Sequence, residues 1–295
     1  GQLAQIDGKI IRYVNSDGLA DLDAFFDSIE AKKLVEAGHI IPSDVLNASD
    51  YQELPEAFKH TGGRIFQHPR IPFPTYPYEW SPAMLHAAAE KTLFVADKLE
   101  TDLLELKDAT PFNILFLGPE PVFIDILSFV RLDPTNQIWL AQAQFARAFL
   151  LPLLANREFG VSSTAIFQSR PDGWGPADLY TMASFWRKLM PPFLGLVSLP
   201  QWLDSRATSN EIYIAKPIDD PVKAKFVRQH LFRRQHRSLK SVAPKTNSRS
   251  NWSEYMSDLH YPDVSFSAKQ DFVSSRLDQI RPDRVLDVGC NTGHF

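Results

Sequence analysis

Two groups of residues have types and spacings that could do chemistry. The first is the run Arg284-Val285-Leu286-Asp287-Val288-Gly289-Cys290-Asn291-Thr292-Gly293-His294. Apolar and β-branched residues lead into Asp-x-Gly-x-Asn-x-Gly, the pattern of a buried strand that ends in a glycine-permitted turn. Gly289 and Gly293 allow φ values and close backbone approaches that a Cβ would block. Such a turn, at the carboxyl end of a first parallel strand, is where doubly wound α/β folds hold nucleotides. The second group is Asp108, Asn113 and Asp125, with one apolar strand following Asn113 and another preceding Asp125. Mg²⁺ takes hard oxygen ligands, usually one or two carboxylates completed by phosphates and water. Asn113 and Asp125 at adjacent strand ends could supply such oxygens. Asp108, across a turn containing Pro111, could point a base into the same cleft.

The first run resembles motif I of class I S-adenosylmethionine (SAM)-dependent methyltransferases, with Asn291 standing at the middle glycine of the commoner Asp-x-Gly-x-Gly-x-Gly. The resemblance implies that Asp287, Gly289, Asn291 and Gly293 bind SAM, and that Tyr255 and Lys269, in the segment that precedes motif I, touch the same cofactor. The competing reading is an ordinary strand and turn of another Rossmann-like domain. The second group, within Leu106–Phe116 and Val122–Asp125, resembles the catalytic loop and metal-binding Asp of protein kinases and, more closely, of aminoglycoside-phosphotransferase-like kinases. That resemblance implies Asp108 as catalytic base and Asn113 and Asp125 as Mg²⁺ ligands beside ATP. Leu106 and Lys107 depart from the usual residues ahead of the base, and Ile126-Leu127 from the usual pair after the metal-binding Asp. Lys9 or Arg12 is a candidate for the phosphate-clamping cation and Glu30 for its helix partner, and no phosphate-covering glycine-rich loop is recognisable. A degenerate kinase, or a polar loop capped by Asn113 in an unrelated α+β domain, fits the same residues.

Together the two signals, with His68–Trp80, resemble bacterial methyltransferases related to host-specific nodulation proteins, which carry a long amino-terminal region before the class I domain. The implied fold is α+β: a two-lobed kinase-like domain over 1–205, a basic linker over 206–250, and the first strand of a Rossmann-like α/β methyltransferase domain over 251–295. The chain is then expected to be a fragment of a longer protein and inactive alone in methyl transfer. Its methyl acceptor, a small molecule or glycan-type group, is not readable. The alternatives are an ATP/Mg-dependent phosphotransferase acting through Asp108, Asn113 and Asp125, and a non-catalytic scaffold that recruits substrate.

The elements that must position these residues follow from periodicity. Asp7-Gly8 between two short apolar runs predicts a hairpin over 2–14. Apolar residues recurring at three and four residues predict one helix from Leu19 to about Leu34, with Gly38 as its C-cap. Four prolines keep 69–78 extended. Ser81-Pro82 starts a helix that runs to about Glu105. Gly118-Pro119-Glu120-Pro121 joins two strands, and further helices are predicted over 137–156 and 176–190.

Composition bounds the rest. The net charge is −4, hydrophobic residues make up 44% and charged residues 22%. No apolar run approaches the roughly 18 residues of a membrane span, so no membrane partner is expected. Cys290 is the sole cysteine, which excludes a disulfide framework and a cysteine metal site and fits a cytoplasmic protein. The histidines show no metal spacing, and His68 and His86 read as structural. From Pro221 to Ser253 there is no acidic residue, while nine of the 31 Lys and Arg lie between Lys223 and Arg249. That run could attract RNA or an acidic partner; a solvated linker is the favoured reading, and nucleic acid is not expected as a partner.

Overall fold

A computed structural model describes residues 2–6, 8–46, 58, 62–204, 218–245 and 263–288. The chain divides into two units, Gly1–Pro244 and Lys245–Phe295. The first unit opens with the predicted hairpin of β1 (Gln2–Ile6) and β2 (Lys9–Val14), with Ile6 opposite Lys9 and Gly8 at a φ of +75°. β3 (Asp44–Leu46) and β4 (Arg64–His68) complete an antiparallel sheet of order β1-β2-β4-β3. Alternation sorts its side chains: Ile11, Tyr13 and Ile65 form a small cluster with Phe58, whereas Val14 and Phe66 join the main core. Arg12, opposite Phe66 in the register, shares that inward face and is buried despite its charge.

The predicted single helix after the hairpin is two helices, α1 (Leu19–Asp27) and α2 (Ile29–Glu36). Ser28 adopts an extended conformation between them, and its Oγ accepts from the Ala31 N–H at 2.9 Å, a helix N-cap. Ser28 Oγ also donates to Asp102 at 2.8 Å, and the same carboxylate oxygen accepts from the Glu30 N–H at 2.9 Å. These bonds, the Glu30 N–H first, lower the Asp102 pKa. The apolar period reads through a break that a long-range acid stabilises.

α3 (Pro82–Leu99) starts at the Ser81 cap as expected but stops short of Glu105: Glu100–Asp102 tightens, Leu103 turns left-handed, and β5 (Leu104–Leu106) begins. β6 (Ile114–Leu117) and β7 (Glu120–Phe123) form a hairpin, and β8 (Phe129–Arg131) pairs with β5. The predicted 137–156 helix is α4 (Gln142–Phe145), a π turn at Ala146–Leu150 and α5 (Leu151–Phe159). α6 (Ser163–Ser169) follows, and the expected 176–190 helix is split into α7 (Pro176–Met182) and α8 (Phe185–Lys188). A second π turn, Leu194–Ser198, leads into α9 (Leu199–Asp204). Each π turn directly precedes a proline-bearing helix start, Pro152 and Pro200. A proline has no N–H for the i−4 carbonyl and its ring crowds that oxygen, which a widened turn accommodates.

The expected linker over 206–250 is corrected by α10 (Pro221–Ser241), which belongs to the first unit. Ala224, Arg228, Phe232, Gln235 and Leu239 are buried, a helical stripe that the surrounding cations obscure in the sequence. Phe232 packs on Trp139 with ring centroids 5.2 Å apart. Arg228 pairs with Glu100 and donates to the carbonyls of Asn136 and Pro134, so the guanidinium is dry but satisfied. In the second unit the described part is α11 (Asp263–Ile280) and the chain to Val288. The buried strand expected at 285–288 is not seen: Val285, Leu286 and Val288 are exposed and form no strand. Strand hydrophobes bury only against paired neighbours, and no strand lies among the described residues of this unit.

Glu105 on β5 is buried beside this clamp, its Oε2 without a hydrogen-bond partner, and desolvation pushes its pKa up from 4.5 to about 7. The folded state therefore favours the protonated acid. The resulting penalty is absent below pH 4.5, grows as pH rises, and is complete above pH 7. Glu105→Gln should raise stability at pH 8 by up to roughly 3 kcal/mol and leave it nearly unchanged at pH 4, as read from denaturant titrations at both pH values. Arg228→Ala should lower stability by about 3–5 kcal/mol, because it leaves Glu100 buried and unpaired.

Candidate functional site

Of the three residues singled out between strands, Asn113 and Asp125 are joined through Ser128, and Asp108 meets Asn113 by its backbone carbonyl alone. Pro111 and Asn113 lie in a 3₁₀ turn whose Asn113 N–H bonds the Thr110 carbonyl at 3.1 Å, and the Asn113 carbonyl accepts from the Ile124 N–H at 2.8 Å. That bond ties the catalytic-type loop to the end of β7, one residue before Asp125. Asn113 Nδ2 donates to the Asp108 carbonyl at 3.3 Å and to Ser128 Oγ at 2.9 Å. Ser128 Oγ in turn donates to Asp125 Oδ2 at 2.7 Å. A single fully buried hydroxyl thus joins Asn113 to Asp125. Sequence reasoning missed Ser128; its position three residues after Asp125 is the only local signal for it.

The other oxygen of Asp125 is also taken. Arg12 Nη1 reaches across from β2 to Asp125 Oδ1 at 2.6 Å, with side-chain exposures of 10% and 25%. Arg12 was one of two candidates for the phosphate-clamping cation, but its partner is not the expected helix acid. Glu30 bonds Lys33 at 2.8 Å instead, and Lys9 is exposed at the hairpin turn. His68, opposite Ile10 on the same face, places Nδ1 3.0 Å from Ser43 Oγ and 3.2 Å from the Pro42 carbonyl. Burial, then the nearby Arg12 cation, pushes its pKa down to about 4. It is neutral near pH 7 and leaves Asp125 to Arg12, as a structural histidine. His86, on α3, lies 3.6 Å from Glu90.

This arrangement bears on Mg²⁺. Among the described residues no three His, Cys, Asp or Glu side chains gather as a metal cage. An ion at this site would need Asp125 and the amide oxygen of Asn113; Asn113 bonds only through its nitrogen, but Asp125 is already held by Arg12 and Ser128. As arranged, the residues do not fit the ion. The Asp108 carboxylate is half-buried and receives no hydrogen bond from the described residues. Neighbouring Lys107 lines a cavity of about 250 Å³ with Asn15, Asp17, Asp21, Leu22 and Leu127.

Of the residues assigned to SAM, Asp287 is exposed and Lys269 lies exposed on α11. Tyr255, Gly289, Asn291 and Gly293 fall outside the described residues. No described geometry brings the SAM residues together.

No family model matches the sequence. The chain is 30% identical over 305 residues to "Nodulation protein NoeA" of Rhizobium meliloti (strain 1021), an alignment that covers 100% of this chain and 60% of that protein. The chain therefore spans about 60% of the length of the curated relative it matches. Among solved structures, vaccinia related kinase 3 aligns at a TM-score of 0.35 with 10% identity, covering 92% of this chain and 80% of that one.

Arg12→Ala should leave Asp125 without its cation in a largely enclosed place. A stability loss of about 2 kcal/mol is expected, below the full cost of breaking a dry ion pair because Asp125 keeps some solvent. Ser128→Ala should cost about 1–3 kcal/mol by stranding the Asn113 amide and one Asp125 oxygen. Thermal or urea unfolding of each variant checks both values.

Proposed function

We propose that the chain is the amino-terminal part of a nodulation-type, SAM-dependent methyltransferase, in which residues 1–244 form a kinase-like accessory module that does not transfer phosphate. The observation that carries the module's role is the closed network Arg12–Asp125–Ser128–Asn113. In a phosphotransferase the acid at Asp125 must be free to hold Mg²⁺ against the nucleotide phosphates. Here its charge is neutralised inside the chain and both oxygens are occupied. The order of elements supports the kinase-like reading: an antiparallel sheet with its helix pair, a proline-rich connection over 69–80 that includes a 3₁₀ turn at Pro77–Glu79, a long helix, then the loop and hairpin carrying Asp108, Asn113 and Asp125. Methyl transfer rests on the Asp287–Gly293 motif and on the similarity to a nodulation protein; SAM would supply the methyl group, and the glycine turn would let the backbone approach it.

The remaining phosphotransferase reading is favoured by one observation, the Asp108 carboxylate without a hydrogen bond from the described residues, beside Lys107 and its cavity. Calorimetry separates the two. A longer form of the protein that continues through the methyltransferase domain should bind SAM. Gly289→Val should weaken that binding at least tenfold, because a side chain would occupy the space the backbone needs. Residues 1–295 alone should bind SAM weakly or not at all, and micromolar affinity there would overturn the division of labour. Mg·ATP should bind residues 1–295 weakly, with no change on Asp125→Asn. Tight binding lost in that variant, with turnover stopped by Asp108→Asn at unchanged nucleotide affinity, would instead establish the phosphotransferase.

A further inference from the structure

The cationic run that the proposed function leaves unused is a structured surface. α10 is 21 residues long, about 31 Å at the ordinary helical rise, and its buried stripe fixes which side faces out. Lys223, Lys225, Arg233, Arg234, Arg237 and Lys240 all occupy exposed positions. Lys223 lies 3.6 Å from the capping Asp220; the other five meet no carboxylate among the described residues. The whole chain carries −4, so this helix is a local concentration of positive charge.

Val222 and Phe226 extend the same outward stripe toward the amino end of the helix. The positions 222, 226, 233, 237 and 240 fall on one side at a 3.6-residue period, opposite the buried 224, 228, 232, 235 and 239. Val222 is 77% and Phe226 60% exposed. The dry Arg228–Glu100 pair and the Phe232–Trp139 contact hold the opposite side of the helix against the first unit.

We propose that this face of α10 is a peripheral docking surface for a bilayer of anionic phospholipid. A plane of phosphate headgroups complements the outward cations Arg233, Arg237 and Lys240, which Arg234 and Lys225 flank. Acyl chains next to the headgroups offer Val222 and Phe226 a place to bury. A nucleic acid matches the charge but would have to take Phe226 by base stacking, and His230 already lies against that ring with centroids 4.2 Å apart. Docking of this kind needs no spanning segment, and no described helix is long and apolar enough to cross a membrane.

The test is vesicle co-sedimentation of the full 295-residue chain. Vesicles of phosphatidylcholine alone are compared with vesicles carrying roughly 30 mol% phosphatidylglycerol, at low salt and at about 0.5 M NaCl. Binding to the anionic vesicles alone is expected, at least tenfold weaker at high salt. The exposed triple substitution R233Q/R234Q/R237Q should reduce it at least tenfold at an unchanged melting midpoint, and Phe226→Ser, an independent variant, should reduce it severalfold. Equal binding to neutral vesicles, or no loss in either variant, would overturn the proposal. So would tighter binding to a single-stranded RNA oligonucleotide than to anionic vesicles, with Phe226→Ser without effect, which would make the face a nucleic-acid surface.

Discussion

The contact on which the candidate site depends is the ion pair between Arg12 and Asp125. A central strand of the small sheet carries one partner and the loop after β7 carries the other, 113 residues away. Two largely buried charges are tolerated only when each is closely paired and its remaining capacity is met. Asp125 satisfies that condition through Arg12 on one oxygen and Ser128 on the other. The pair therefore does two things at once. It fixes the sheet over the loop, and it sets the electrostatics around Asp125 and Asn113. The depressed His68 pKa follows from the same geometry, since a histidine buried near a guanidinium is poorly placed to take up a second positive charge.

A second buried pair organises the opposite side of the unit. Arg228 of α10 reaches Glu100 at the end of α3, and the carbonyls of Pro134 and Asn136 complete its donors. Glu105 is drawn into the same dry region with its Oε2 unbonded, and desolvation is why its proton is held more tightly. The two pairs show a common design. Each joins elements remote in sequence through an arginine; Arg228 meets several acceptors at once, whereas Arg12 bonds Asp125 through Nη1 and keeps its buried Nε without a partner among the described residues.

Several features were legible in the residues themselves because they are local. The hairpin turn at Gly8, the Ser81 cap with Pro82, and the β6–β7 hairpin around Gly118 follow from backbone chemistry that involves a few neighbouring positions. The nearness of Asn113 to Asp125 was also legible, since the hairpin between them returns the chain to the same end; where the Asp108 carboxylate points was not. The breaks inside expected helices were not. Ser28 ends α1 only because Asp102, remote in sequence, accepts from it and from the next helix. Pro152 and Pro200 announce a disturbance, but a π turn, rather than a kink or a stop, is settled by packing.

By itself the sequence determined the alternation and periodicity of the elements, the cluster of oxygen-bearing residues at 108–125, and the glycine pattern at 287–293 whose chemistry suits a nucleotide-like cofactor. Tertiary structure decided what those residues do to one another. Only folding brings Arg12 to Asp125, because a charged residue in an alternating strand reads equally well as solvent-facing until the opposite face is known. Only folding turns the cationic stretch after Pro221 into a docked helix with one dry arginine and an outward row of cations, because composition reports how many charges there are and burial reports which of them water reaches.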